Sequence, residues 1–463
     1  MSAQGRLKGE FPLGGTAQRQ GCPMTTDAVI ARGALEGLLA GVLVDLAHPP
    51  AAGASPKLAW LKALRAEALE RVGVLTVPTL RDEAWRFTDI STLTGQSFHP
   101  LRTPTSLQAG DIEHFHIKET TTRLVFVDGV HAPQLSSIGG DGGGVVVSNL
   151  SAAVATHASA IQPHLGHHAK FRDKLFSALN TAFLHDAALV IVPRETSAAE
   201  PVHLLFVSTQ PDVASHPRIL LVAEAGSAVT LIEDYVALHD GAYFTNSVAE
   251  VALGANAKVE HVRVQRESGQ AFHIASCAVS LAQASRYHSV SVALGAKISR
   301  LDLDVLQTAE ATECRLDGLA LIGGRQLADT HTFIDHAKPH GVSRQLHKCI
   351  VDGAAHAVFN GRVMVRPGAQ QTDSAQASRN LLLTSKALVD TKPQLEIFAA
   401  DVKCTHGATV GQLDSEEVFY LQSRGLSEAA ARDLLTYAFG AEVIARIPIA
   451  SLRLRLEQTV RQP

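Results

Sequence analysis

Cysteine is scarce in this chain. Cys22, Cys277, Cys314, Cys349 and Cys404 are its five thiols in 463 residues, and no two stand at C-x-x-C spacing. That excludes a disulfide framework as the organising device and points to a reducing compartment. It also excludes a complete cluster or structural zinc motif carried by this chain alone, since those need paired ligand spacing. Aromatic residues are scarce too, at 5% beside 46% hydrophobic residues overall, so the interior is aliphatic and alanine-rich. Charge of one sign is lacking: the formal net charge is −4. Neither nucleic acid nor an anionic membrane is an indicated partner. No apolar run is long enough to span a bilayer, and the best candidate, 34–47, is interrupted by Glu36 and Asp45. Two chemical signatures are missing as well. There is no G-x-x-x-x-G-K-[ST] phosphate loop and no G-x-S-x-G nucleophile elbow. The glycine-rich run 139–144 lacks G-x-G-x-x-G spacing and leads into Val145-Val146-Val147, so it reads as a turn. Residues 1–23 lack the apolar core of a secretory signal. An extension, a start at Met24 and a transit peptide stay open there, the last without support.

What is present begins as helix. Residues 26–47 read as an apolar helix, broken by Pro49 and Pro50. Ser55-Pro56 is an N-cap followed by proline at the first helical position, and this helix runs through Trp60, Leu61, Leu64 and Leu69 to near Gly73. Trp85, within 82–89, reads as a packing anchor. Residues 171–185 are expected to form one amphipathic helix. From Ala188 the texture changes to short β-rich runs ended by small turn residues, such as Gly226, Gly254, Gly295, Gly318, Gly353 and Gly368. No long helix interrupts them for some two hundred residues. A doubly wound sheet would need alternating helices. A continuous parallel β-helix, in which each short strand stacks on the one a coil away, fits best over roughly 120–405. Helix returns after Gly411, where Ser415 and Ser427 are candidate caps with Glu416 and Glu417 in a first turn.

The chemistry concentrates at Asp401-Val402-Lys403-Cys404-Thr405-His406-Gly407. On an extended strand Val402, Cys404 and His406 share one face, and a thiol and an imidazole two residues apart can converge on one soft or borderline metal. A buried cysteine beside a hydrogen-bonded histidine is the plainer alternative from spacing alone. His331, His336 and His340 are near in sequence, but Pro339 opposes a helical pair and odd spacing splits a strand pair, so ordinary histidines are expected. Asp329, Asp335, Asp352, Asp373 and Asp390 invite comparison with β-helix enzymes acting on polysaccharide, which need carboxylates grouped in an open groove. These aspartates read mostly as turn residues.

From about Leu316 the chain resembles the SufD family of the SUF iron–sulfur cluster assembly system. The residues that carry the resemblance include Thr330-His331-Thr332, Ile334-Asp335-His336, Ser343-Arg344-Gln345, Phe359-Asn360-Gly361, Ala369-Gln370-Gln371-Thr372-Asp373, Lys392-Pro393-Gln394-Leu395-Glu396-Ile397 and Val402-Lys403-Cys404-Thr405-His406-Gly407. Weaker matches lie at Trp85-Arg86-Phe87-Thr88-Asp89 and Asn180-Thr181-Ala182-Phe183. The match covers most of residues 60–445 and is closer to SufD than to its paralogue SufB.

The resemblance implies a mainly β protein, a right-handed parallel β-helix core flanked by N- and C-terminal α-helical regions. The divisions expected are 1–120 as N-terminal extension and helical region, 121–411 as β-helix core, and 412–463 as a C-terminal helical region that docks an ATPase. It implies a cytoplasmic scaffold subunit, not an enzyme, that forms a heterodimer with SufB and docks the ATPase SufC. A homodimer is a state open to the isolated chain. His406, with Cys404 as a weaker candidate, would hold iron or a nascent iron–sulfur cluster shared with SufB. Glu416, Glu417, Phe419, Tyr420, Leu421 and Arg424 would contact the ATPase, although these helices could instead only cap the β-helix end. A flavin belongs to the expectations for such complexes, with no location in this chain. The alternatives are a β-helix carbohydrate-active enzyme, or a purely structural partner of SufB in which Cys404 and His406 are inert.

Overall fold

The computed structural model describes residues 59–139 and 144–461. The expected helix at 26–47, the Ser55-Pro56 cap, Cys22 and most of the 139–144 glycine run lie outside the described residues.

From Arg218 to Gly411 the strands alternate between two sheets, so that each pairs in parallel with the strand two ahead of it until the ladders end. In one sheet Ile298 lies beside Phe272, Leu327 beside Ile298, His356 beside Leu327 and Leu388 beside His356. In the other, Arg286 follows Lys258, Glu313 follows Arg286, Val342 follows Glu313 and Val402 follows Thr372. One coil therefore takes between 26 residues (Phe272 to Ile298) and 32 (His356 to Leu388). The result is a parallel β-helix, as expected, with helices before and after it.

One corner of the coil is built the same way on each turn. Gly226, Asn256, Ala284, Ala311, His340 and Gln371 all have φ between 54° and 72°. Each donates its backbone N–H to a carbonyl of the next coil: Asn256 to Gln283, Ala284 to Glu310, Ala311 to Pro339, His340 to Gln370. Inside the early coils Leu204, Leu231, Val259, Tyr287 and Cys314 join the main core cluster, beside a buried polar group in which His261 meets Glu233 at 2.8 Å and His273 pairs with Glu267. Some rungs come so close that a side chain is not admitted; a Cβ on Gly318 would overlap the His347 ring.

Two expectations need correction. The ladder is not parallel throughout, because Val130–His131 pairs antiparallel with Thr122–Val127 and Val146–Asn149 pairs antiparallel with Ala188–Val192. These reversals close the sheets at their N-terminal end, together with the Leu150–Ile161 helix. The helix expected over 171–185 is only Leu175–Ala182. The preceding loop is held in turns by the buried carboxylate of Glu250, which accepts from the backbone N–H groups of Gly166, His168 and Ala169 at 2.7–2.9 Å. Trp85 does serve as an anchor. Its ring lies 5.6 Å from that of Phe176 and stacks under the Arg300 guanidinium at 3.9 Å.

The C-terminal helices Glu428–Ile444 and Ala450–Arg461 do not cap the end of the β-helix. They lie along the outer face of one sheet, where Val443, Ile444, Leu452, Leu456 and Val460 pack on Leu319, Leu346 and Ile350. Gly440 permits this approach, since a Cβ there would stand 3.3 Å from Ile350 and 3.2 Å from Val460. Within the last helix Leu452, Leu456 and Val460 are buried and Leu454 is exposed.

Glu250 also meets Arg218 at 2.5 Å, and both side chains are fully buried. Burial raises the Glu250 pKa, but Arg218 and the three N–H groups outweigh it and hold the carboxyl below its usual range. Glu250→Gln would strand a buried guanidinium and cost about 3–5 kcal/mol, read as a lower denaturant midpoint. Because the folded pKa is depressed, the pair's contribution is full above the unfolded value of 4.5 and is lost as pH falls through the folded value. An unchanged midpoint at neutral pH would contradict this role.

Candidate functional site

Both ladders end in a strand with one open edge. Among the described residues, Val402–Gly411 pairs with Thr372–Leu382 and has no strand on its other side, and Leu388–Ile397 pairs only with His356–Val365. Every residue of Val402–Gly411 is exposed or half-buried, whereas strands a few coils earlier are largely buried. Leu388, Ile397, Phe398 and Val410 are exposed at this end, Phe398 to 61%. Unpaired N–H and C=O groups beside exposed apolar side chains form a surface ready to accept another strand.

Cys404 and His406 end two interior rows. The Cys404 row runs Val259, Tyr287, Cys314, Ser343, Ser374, Cys404. The His406 row runs His261, Ser289, Leu316, Gln345, Gln376, His406. Toward the open end both rows are polar and hydrogen-bonded across the interior. Gln376 donates to Gln345 at 2.8 Å, Gln345 to Thr332 at 2.7 Å, and Ser343 to Ser374 at 2.8 Å. Cys404 is half-buried against the apolar core and burial raises its pKa, which keeps it a thiol at neutral pH. His406 is exposed. Of the two, the imidazole is the one that solvent and a partner can reach. Among the described residues, no three His, Cys, Asp or Glu side chains are grouped as a metal set.

The other candidates separate. His331 pairs with Asp329 at 3.0 Å; His336 is buried on Ser343 and its pKa is pushed down to about 4 by burial; His340 occupies the left-handed corner. Cys277, Cys314 and Cys349 are buried thiols with raised pKa values, Cys349 at about 12. The aspartates are mostly not turn residues. Asp329, Asp335, Asp373 and Asp390 lie in strands, each beside a cation of a neighbouring coil, Asp329 directly in register and the others offset by two residues. Arg300, Arg366, Arg344 and His356 are their partners, Arg366 as a bidentate fork at 2.9 and 2.6 Å. Only Asp352 sits at a turn. Carboxylates committed in this way do not face one another across a groove, which counts against polysaccharide chemistry.

After the last strand, three residues lead to the Ser415–Ser423 helix. Asp414, rather than Ser415, is its cap, accepting from the Glu416 N–H at 2.8 Å. Ser427 caps the following helix. Val418 is the one buried residue of Ser415–Ser423. Phe419 is 71% and Tyr420 56% exposed, and with Glu416, Glu417, Leu421 and Leu435 they line an open groove of about 830 Å³. The Arg424 guanidinium lies 5.1 Å from the Tyr420 ring. The exposure of Phe398, Ile397 and Leu388 was not legible in the sequence, because an end strand carries the same residue pattern as a covered one.

Two family models match the chain. One is the SufBD core domain of SUF system FeS cluster assembly, over residues 206–439, and the other is the SufBD protein N-terminal region, over residues 53–204. An iron–sulfur cluster assembly SufBD family protein of Synechocystis is 42% identical over 407 residues, 86% of this chain and 89% of the relative. The iron–sulfur cluster assembly protein SufD of Escherichia coli is 34% identical over 79% of this chain and 84% of its own length. The chloroplastic protein ABCI7 of Arabidopsis thaliana is 32% identical over 85% of this chain and 84% of its own length.

Proposed function

This chain belongs to the SufBD family of SUF iron–sulfur cluster assembly proteins, in its SufD branch, and we propose that it is a scaffold subunit of that system and not an enzyme. On this reading its open β-helix end pairs with the corresponding end of a SufB-like paralogue in the cytoplasm. The observation that carries the reading is the last coil. Two strand edges without partners among the described residues stand beside exposed Leu388, Ile397, Phe398 and Val410, and His406 lies on one of those strands. Edge pairing gives such an interface its backbone hydrogen bonds, and the apolar side chains give it buried area.

Iron and sulfide assembled there are cargo. His406 would supply one nitrogen donor from this chain, with Cys404 a weaker second, and the remaining donors would come from the partner. The variant His406→Ala removes an exposed side chain from a strand held by its backbone, so pairing is expected to survive. Cluster formed in the reconstituted complex should fall at least about tenfold, the loss expected when a direct ligand is removed, as read by iron and sulfide analysis and visible absorption. Normal cluster yield with normal pairing would leave His406 a structural residue only.

The Ser415–Ser423 helix is the proposed docking site for a SufC-like ATPase. It projects Phe419, Tyr420 and Leu421 with Glu416, Glu417 and Arg424 at the rim, an aromatic centre in a charged border. It follows directly on the strand of Cys404 and His406, so displacement of the helix is passed to that strand. Tyr420→Glu together with Leu421→Glu should weaken ATPase binding by at least about 2 kcal/mol, measured by calorimetry. Full affinity in a variant that still pairs through its β-helix end would refute docking here.

A further inference from the structure

A second groove lies on the outer face of the sheet that ends in Val402–Gly411, beside the Glu428–Ile444 helix. Its cavity is about 540 Å³, and Arg315, Arg344, Arg379 and Arg446 line it with Asp317 and Glu442. The floor follows from the register. His288, Arg315, Arg344, Ala375 and Thr405 occupy one outward row on successive rungs, and Asp317, Leu346, Ala377 and Gly407 the next. Small residues on the last two rungs leave open the space that earlier rungs fill with guanidinium groups.

Like charges in direct register repel, and here three consecutive rungs of one row carry a cation. His288 is among them: burial lowers its pKa, but the hydrogen bonds it donates to Asp317 and Glu260 outweigh burial and raise it to about 9. The counter-charges are shared. Asp317 serves His288, Arg315 and Arg446; Glu442 serves Lys348, Arg379 and Arg446. Glu260 adds a second contact to His288, and Asp373 pairs with Arg344. Six cations thus face four carboxylates, and Arg315, Arg344 and Arg379 keep side-chain exposures of 43%, 45% and 51% toward the groove mouth.

We propose that this groove binds a small multivalent oxyanion, a polycarboxylate or a phosphate compound, held by the guanidinium groups of Arg315, Arg344 and Arg379 over the Ala375–Thr405 floor. Guanidinium forks match both oxyanion classes through paired N–H donors. The excess of two cations matches a ligand carrying at least two negative charges. The groove ends at Thr405, His406 and Gly407, so a bound anion touches the terminal strand at the segment that carries the proposed cluster ligand. Binding is a property of this chain alone and does not depend on the proposed partners.

The test is calorimetry of the full chain with citrate and, separately, with pyrophosphate at low ionic strength, where screening is weak. Saturable binding of at least one anion is expected, and which one binds assigns the groove to carboxylates or phosphates. The double variant Arg315→Gln and Arg379→Gln should weaken it by at least about tenfold, since each lost charge-assisted contact is worth more than 1 kcal/mol. Ala375→Leu, which leaves all charges in place and narrows the floor, should weaken it too, with thermal unfolding confirming that both variants remain folded. No binding of either anion at millimolar concentration, or undiminished affinity in the folded double variant, overturns the proposal.

Discussion

The hydrogen bonds between successive coils are what the rest of this structure depends on. In a parallel β-helix each strand is satisfied by the coil before it and the coil after it, so the first and last coils inherit a deficit. At the N-terminal end the deficit is met within the chain. Val146–Asn149 and Val130–His131 run antiparallel against the first sheet strands, and the Leu150–Ile161 helix covers Leu189 and Leu220. At the other end Leu388–Ile397 and Val402–Gly411 have one strand neighbour each among the described residues. The C-terminal helices, which could have covered them, are used along the flank instead, where Leu319, Leu346 and Ile350 hold them.

That division sets what each region is free to do. The flank is tightly packed and its helices are fixed by apolar burial. The Ser415–Ser423 helix, anchored chiefly through Val418, sits between this fixed body and the terminal strand. The interior changes character along the axis in the same direction. Apolar rows near Val229 and Val259 give way to Ser343, Gln345, Ser374 and Gln376, which hydrogen-bond to one another and end at Cys404 and His406. A polar interior costs stability unless its groups are paired, and the rung spacing pairs them. The open end is therefore the least covered part of the β-helix, and the rows that reach it end in polar side chains.

Much of the fold was legible from short strands punctuated by small residues, but the period was not. The corner that repeats on every coil is a left-handed residue, and its occupants are Gly226, Asn256, Ala284, Ala311, His340 and Gln371. The backbone repeats there while the side chains do not, because the stabilising contact is a main-chain N–H to the next coil. His340 looked like one member of a histidine group for that reason. The aspartates were misread as turn residues because their partners stand a coil away: Asp335 meets Arg366 and Asp329 meets Arg300 only when coils stack. The arginine groove escaped notice in the same way. The strand face shared by Cys404 and His406 was legible from alternation alone, whereas their exposure depends on which coil is last. No local pattern states that.

The most direct measurement of the central claim is hydrogen–deuterium exchange of the chain alone and in complex with a SufB-like partner. In the isolated chain the outward-facing amides of Leu388–Ile397 and Val402–Gly411 lack strand partners and should exchange rapidly, while those of Val342–Val351 and Thr372–Leu382, paired on both sides, should be protected. On complex formation the account predicts new protection concentrated in those two terminal strands. A complex that forms while both strands continue to exchange as in the free chain, with protection gained elsewhere, would contradict it.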